Sequence, residues 1–288
     1  MGRSHSTAKL YPHGADRRIR TADLYFTKVL LYQLSYIGIY IAEYNKVRLL
    51  RVKYKRVLLK LSGEQFGGSQ GNGIDADFMK RLAQDITDIV RETDVQIGLV
   101  IGGGNIARGA EVAAQGVDEV SGHYMGMLGG IINGLAFSDM LDSAGQPASL
   151  MSKLQIEGAT GAEPFNRRLA KRYLNEGRVV VLVGGSGKPF FTHDSAAVLA
   201  ALELECQAVL KATKVDGVYD KDPVKHADAK KYDSLSYEEA LQNPDINVMD
   251  NTATALAMDH KLPIIVFELS GQNLKKVIQG EDVGTRVS

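Results

Sequence analysis

Residues 95–110 read VQIGLVIGGGNIARGA: an apolar run, three consecutive glycines, then a helix-like stretch carrying Arg108. The apolar run has the length and β-branched content of a buried strand. Glycines at its end let bare backbone N–H groups point at an anion, and a helix start behind them adds the positive end of its dipole. The segment predicts a phosphate site at the carboxyl end of a strand, where ligands gather in open α/β sheets. Spacing alone leaves the ligand open, because Gly102, Gly104 and Ala107 also satisfy the dinucleotide pattern G-x-G-x-x-A. A nicotinamide enzyme would need a ribose-binding acid ending the next strand, about twenty residues on. Here MGMLGGIINGLA, residues 125–136, follows and reads as a buried helix, with Asp118 and Glu119 ahead of it, which weakens that reading.

Outward from this stretch the pattern is regular from residue 56 onward. Short β-branched runs predict strands at 57–61, 96–101, 148–151, 178–183, 208–211 and 263–269. Helical periodicity and flanking Gly, Pro or Asp predict helices at 75–91, 124–142, 163–175, 195–205 and 252–260. Strands alternating with helices predict a mostly parallel sheet covered on both faces, in one domain.

Bulk properties narrow the function classes. The 288 residues carry no net charge, but residues 1–56 hold 12 Lys/Arg against 3 Asp/Glu, leaving 22 against 31 in the rest. An acidic main body argues against a nucleic-acid surface. The single cysteine, Cys206, excludes an internal disulfide and fits the cytoplasm. Residues 24–42 are apolar and Tyr-rich, yet interrupted by Lys28, Gln33 and Ser35. That is short of the ~20 apolar residues needed to span a bilayer, and no cleavage pattern follows. Seven of the twelve tyrosines precede Lys55. Residues 1–53 are therefore expected to be an extension foreign to the fold, a start-site artefact of the kind that reading through an upstream tRNA gene produces, and residues 54–288 a single domain.

Three further segments carry chemistry. Lys60-Leu61-Ser62-Gly63 puts a compact cation at a strand end beside a small-residue turn, suited to phosphate. Gly184-Gly185-Ser186-Gly187-Lys188-Pro189 tempts a P-loop assignment, but Pro189 occupies the slot of the magnesium-binding hydroxyl, which rejects it. Asp194, shortly after, lies near a helix N-cap. Residues 211–223, KATKVDGVYDKDP, combine a strand end, polar side chains, Tyr219 and a proline turn, a loop able to clasp a base and ribose.

Taken in this order, LLKLSGE (58–64), VIGGGNIARG (100–109), PFFTHDSAA (189–197), LKATKVDGVYDKDP (210–223) and HKLPIIVF (260–267) resemble the bacterial uridylate kinase branch of the amino acid kinase superfamily, over about residues 54–288. The resemblance implies a three-layer αβα sandwich with a mostly parallel central sheet, commonly hexameric. It implies transfer of the γ-phosphoryl of ATP, with Mg²⁺, to UMP in pyrimidine nucleotide synthesis. By motif position Lys60, Leu61, Ser62, Gly63, Gly104 and Arg108 face the donor phosphates, and Thr213, Tyr219 and Asp222 hold ATP. Lys60, Arg108 and Asp194 form the catalytic set, with Asp194 the acid that organises the lysines. Gly103, His123, Ser186, Gly187, Lys188, Pro189, Phe190, Phe191, Thr192 and His193 line the UMP site. Gly68, Ser69, Gln70, Gly71, Asn72 and Gly73 lie where relatives bind GTP, with UTP a second possible regulator; as sequence they read equally as a flexible connection. The departures gather at the acceptor: His123 stands where relatives carry a ribose-binding Asp, and Lys188, which can only donate, replaces an Asn. Another acceptor within the superfamily, or a non-catalytic nucleotide-binding protein, stays open.

Overall fold

Alternation along strand β1 (Arg56–Leu61) sets the layers. Leu58 packs into one apolar cluster, while Leu59 and Leu61 pack into another on the opposite face, the two-residue period of a pleated strand buried on both sides. Lys60 falls on the Leu58 face, at the carboxyl end. The structure, a computed structural model, describes residues 50–68, 71–156, 158, 161–244, 246 and 248–288.

The elements in chain order are β1, α1 (Gly63–Phe66), α2 (Ala76–Thr93), β2 (Gln96–Ile101), α3 (Gly109–Ala114), α4 (Glu119–Ser143), β3 (Ala148–Ser152), β4 (Glu163–Pro164), α5 (Arg167–Asn175), β5 (Val179–Val183), α6 (His193–Glu203), β6 (Val209–Thr213), β7 (Val218–Tyr219), β8 (Lys231–Tyr232), β9 (Ser234–Leu235), α7 (Tyr237–Gln242), α8 (Asn251–Asp259), β10 (Ile264–Glu268), α9 (Gly271–Gln279) and β11 (Thr285–Val287). Among the described residues nine strands form one sheet in the order β4-β3-β5-β2-β1-β6-β10-β11-β9. Its pairs are parallel except that β11 runs against β10. Strands β7 and β8 form a separate antiparallel ribbon. Helices α2, α4 and α9 cover one face, with Met79, Ile86, Phe137 and Leu274 in that core. Helices α5 to α8 cover the other, with Leu174, Ala197, Ala240 and Ala257. The three-layer sandwich with a mostly parallel sheet is as expected.

Local chemistry starts and stops these elements. Asp75 caps α2 by accepting from the Phe78 N–H at 2.9 Å. Phe66 meets Phe137 edge-on, with ring centroids 5.4 Å apart, a contact worth about 1 kcal/mol beyond its buried area. Helix α4 carries no charged side chain between Glu119 and Asp139 other than a protonatable His123. Its buried glycines, Gly122, Gly129, Gly130 and Gly134, let it lie close to the sheet side.

Several features differ from the sequence reading. Helix α4 begins at Glu119, not 124, because Asp118 caps it by accepting from the Ser121 N–H at 2.9 Å. It is also buried on one side only: Met125, Leu128 and Ile132 are 38%, 50% and 44% exposed. The helix expected over 163–175 is two elements, since Glu163–Pro164 pairs with β3 and Asn166 caps α5. Residues 50–53 pack with the domain: the Leu50 N–H donates to the Glu92 carbonyl at 2.9 Å and the Lys53 N–H to Ile278 at 3.0 Å. The rest of the expected extension lies outside the described residues.

Candidate active site

The register of β1 with β6 seats Lys60 directly beside Lys211. Both point to the α6 face, where two like charges on neighbouring strands would repel. Asp194, in the first turn of α6, lies between them: Lys60 Nζ is 2.8 Å from its Oδ1 and Lys211 Nζ 2.8 Å from its Oδ2. Lys211 also donates to the Val248 carbonyl at 2.6 Å. Burial pushes the Asp194 carboxyl up, but the two ammonium groups outweigh it and hold it below its ordinary value. Burial lowers Lys211, with Lys60 acting the same way and Asp194 opposing. The cluster is a fixed, net cationic group at the carboxyl edge of the sheet.

Asp194 is not itself the cap of α6. Thr192 holds that position, its Oγ1 accepting from the N–H of Asp194 at 3.0 Å and of Ser195 at 3.3 Å. Asp194 thus sits where a helix N-terminus favours a carboxylate. His193 opens the helix beside it. Its Nε2 is buried without a hydrogen-bond partner, in the space beside Gly130 and Gly185. Burial and then Lys60 lower this imidazole to about 4, against the pull of Asp194, so it is neutral at pH 7.

The glycine crest lies at the ends of β1 and β2. A side chain at Gly63 would collide with the Gly104 backbone, and one at Gly103 with the α4 backbone at Gly126 and Gly130. Only glycine permits these approaches. The Gly103 carbonyl accepts from Ile106 and Ala107, while no acceptor among the described residues takes the N–H groups of Gly63, Gly103 or Gly104. Beneath them Asn133 donates to the Gly102 carbonyl at 2.8 Å and exchanges hydrogen bonds with Asn105. Arg108 is the N-cap residue of α3 rather than part of its first turn, its backbone being extended. Its guanidinium bridges Glu64 and Glu111, each at 2.8 Å, so it spans the mouth of the crest tethered by two exposed carboxylates.

The segment expected to bind the acceptor runs from β5 to α6. Ser186 Oγ accepts from the Lys188 N–H at 3.2 Å, tightening the turn through Gly187. Phe190 has φ 68°, rare for a bulky residue and a strained conformation worth about 1–3 kcal/mol. It and Phe191 are 64% and 45% exposed, and the Phe190 ring lies 5.0 Å from that of His123 on α4. The structure thus joins His123 to Phe190 across two elements. Lys188 is exposed and Pro189 half-buried beside it.

Among the residues expected to hold ATP, Thr213 ends β6, its hydroxyl donating to the Val215 carbonyl at 2.6 Å. Tyr219 donates to Asp216 at 2.6 Å, and Asp222 accepts from the Val224 N–H at 2.9 Å. Leu61 is buried and Ser62 precedes α1 as its cap. In the glycine-rich connection, the Asn105 side chain donates to the Gly73 carbonyl at 2.6 Å, and the Asn105 backbone carbonyl accepts the Gly73 N–H at 3.0 Å. Gly68, Gly71 and Asn72 are described, whereas Ser69 and Gln70 lie outside the described residues. Among the described residues no three His, Cys, Asp or Glu side chains are gathered to hold a metal, and no helix is long and apolar enough to cross a membrane.

Residues 55–268 match the model of the amino acid kinase family. The chain belongs to that family. A uridylate kinase of Methylococcus capsulatus is 51% identical to this chain over 233 residues, covering 81% of this chain and 96% of the relative. Among solved structures, a UMP kinase from Bacillus anthracis superposes with a TM-score of 0.76 at 37% identity, covering 82% of this chain and 96% of the other. One from Ureaplasma parvum gives 0.74 at 30%, covering 82% and 99%.

The sequence reading missed Lys211 and the Asn105–Asn133 pair. For Lys211 a signal existed: Leu59-Lys60-Leu61-Ser62 and Leu210-Lys211-Ala212-Thr213 share the pattern apolar, Lys, apolar, hydroxyl. The asparagines carry no such mark, since a buried amide pair exists only once the helix is docked.

Proposed function

We propose that this protein transfers the γ-phosphoryl group of ATP to UMP, giving UDP and ADP for pyrimidine nucleotide synthesis. The bond from the γ-phosphorus to the bridging oxygen of ADP breaks, and a bond to a UMP phosphate oxygen forms. That oxygen is already ionised near neutral pH, so no side-chain base is needed. Transfer then asks for alignment and neutralisation of charge. The observation that carries the reading is the Lys60–Asp194–Lys211 cluster beside the glycine crest.

Lys60 and Lys211 neutralise the donor phosphates, and the N–H groups of Gly63 and Gly104 orient them. Arg108 swings from its exposed carboxylates to the transferring group, while Gly103 serves the acceptor phosphate. Thr213, Tyr219 and Asp222 hold the nucleoside of ATP, and Leu61 and Ser62 carry the turn that seats its phosphates. His123, Phe190 and Phe191 wall the uracil and ribose, with Ser186, Gly187, Lys188, Pro189, Thr192 and His193 completing that side. Magnesium fits as an ion carried on the phosphates of ATP with its waters, where it would neutralise further charge.

The protein works in the cytoplasm as a homo-oligomer, a hexamer, in this reading; the exposed apolar residues Met125, Leu128 and Ile132 of α4 support association. GTP or UTP acting at residues 68–73 would be felt at the crest, because Asn105 ties Gly73 to it. The test is a panel of UMP, CMP, dUMP and AMP with labelled ATP and identification of the product. UDP formed fastest supports the reading, and a label on another acceptor overturns it.

A further inference from the structure

We propose that Asp250 is a positioning residue for phosphoryl transfer: its carboxylate fixes the first turn of α6, and with it Asp194, against the two lysines. Asp250 is the cap of α8, accepting from the Ala253 N–H at 2.9 Å. Capping asks for one such bond, yet two hydroxyls of a different helix also reach this carboxylate. Ser195 Oγ lies 3.0 Å from Oδ1 and 3.1 Å from Oδ2, and Thr192 Oγ1 donates to Oδ2.

The polarity of these bonds matters. A hydroxyl has one proton to give, and a carboxylate can only accept. Thr192 therefore sends its proton to Asp250, which leaves its lone pairs turned toward the N–H groups of Asp194 and Ser195. Two residues upstream, the Val248 carbonyl holds Lys211 Nζ. The short stretch from Val248 to Asp250 thus holds both Lys211 and the helical turn that bears its counter-ion. The charge of Asp250 also favours the protonated state of Lys211. The Asp250 carboxylate is taken up by the Ala253 N–H and the Thr192 and Ser195 hydroxyls, so Asp250 acts through the turn that bears Asp194 and through Lys211.

Asn at this position keeps size but replaces one accepting oxygen with a donating NH₂, so one hydroxyl must reverse. Asp250→Asn is expected to lower kcat about tenfold to a hundredfold, the effect of misplacing catalytic groups by a fraction of an ångström to an ångström. The KM values for ATP and UMP should stay within about threefold, because the removed interaction orients groups rather than binding substrate. Ser195→Ala should lower kcat about threefold, and the double variant should match Asp250→Asn alone, since neighbours sharing one network are not additive.

Thr254→Val, which removes a bond to the Asp250 backbone carbonyl, should leave kcat unchanged and so separates loss of the clamp from loosening of α8. Amide exchange gives a readout independent of activity: the Asp194 and Ser195 N–H groups should exchange about tenfold faster in Asp250→Asn, with the middle of α6 unaltered. The activity arm rests on the UMP kinase reading and the exchange arm does not, so an inactive wild type would count against that reading alone. Unchanged kcat and unchanged exchange in Asp250→Asn overturn the proposal. Should that variant fail to fold, Ser195→Ala decides, and wild-type kcat with wild-type exchange there overturns it.

Discussion

The two sides of the cleft are built differently. The side proposed for phosphate transfer rests on β1, β2 and β6, with Lys60, Lys211 and Asp194 held by strand register and ion pairs at 11–14% side-chain exposure. The side proposed for the acceptor is a turn with two exposed phenylalanines, of which Phe190 meets His123. Groups that must neutralise charge during reaction are fixed beforehand by the sheet, whereas groups that select a base sit on a segment able to vary without disturbing the sheet. This contrast predicts that changes on the first side lower kcat and changes on the second alter KM and selectivity.

The largest effect is expected from Asp194→Asn. Two ammonium groups then face each other with no counter-charge, and Lys211, already lowered by burial, is lowered further. The loss of that charge and of alignment should lower kcat by about 10²–10³, as for removal of one preorganised charge-stabilising group. Steady-state kinetics at saturating ATP and UMP measure it. A variant that raises KM while keeping kcat would break the contrast at its strongest point.

His193 lies at the junction of the two sides, and its titration sharpens the picture. Its imidazole is lowered to about 4 from an ordinary 6.5. Between these values the unfolded chain binds the proton and the folded one does not, so stability rises with pH across the window and is lost on acidification. The buried group should make wild type lose about 3 kcal/mol more than His193→Gln between pH 7 and pH 4. Asp194 also loses stabilisation on acidification, but does so in both proteins. Urea unfolding at a series of pH values tests this, and parallel curves would show that no buried neutral imidazole joins the two sides.

The same division explains what could be read from the sequence. Buried parallel strands are near-continuous apolar runs, so the sheet was legible, and a lysine or glycine interrupting such a run marked its functional edge. Lys60 and Gly102 to Gly104 stood out for that reason. Elements recognised only by pairing, such as β4 and β11, did not, because two or three residues have no period. Asp194 was legible by motif, but its partnership with Lys211 depends on β1 lying next to β6, a strand order no local pattern encodes. Arg108 was legible as a candidate for phosphate but not as a residue tethered by Glu64 and Glu111, since those bridges depend on how α1 and α3 approach.

A smaller effect is expected on the acceptor side from Phe190→Ala. It removes a ring that meets His123 and relieves side-chain crowding at a left-handed φ. Loss of one aromatic face against a base should raise the KM for UMP about tenfold, with kcat within about threefold because the lysine cluster is untouched. A fall in kcat with KM unchanged would mean that the exposed turn, too, belongs to the transfer machinery.

The smallest effect is expected from Lys188→Asn. Lys188 is exposed, and its side chain makes no hydrogen bond or ion pair among the described residues, so its removal should leave stability unaltered. An ammonium offers three donors and no acceptor, while an amide offers both. Uracil presents carbonyl oxygens that accept and an N3–H that donates; cytosine presents an amino group in place of one carbonyl. An ammonium can serve the carbonyls of either base, whereas an amide can also take the N3–H that only uracil carries. Lys188→Asn should therefore raise the kcat/KM ratio of UMP over CMP by about tenfold, the discrimination that one added hydrogen bond of roughly 1.4 kcal/mol provides. The gain should appear in KM, since the residue is proposed to meet the base and not the phosphoryl group. An unchanged ratio would place the base beyond reach of residue 188 and shift uracil selection to the backbone of the turn and to His123.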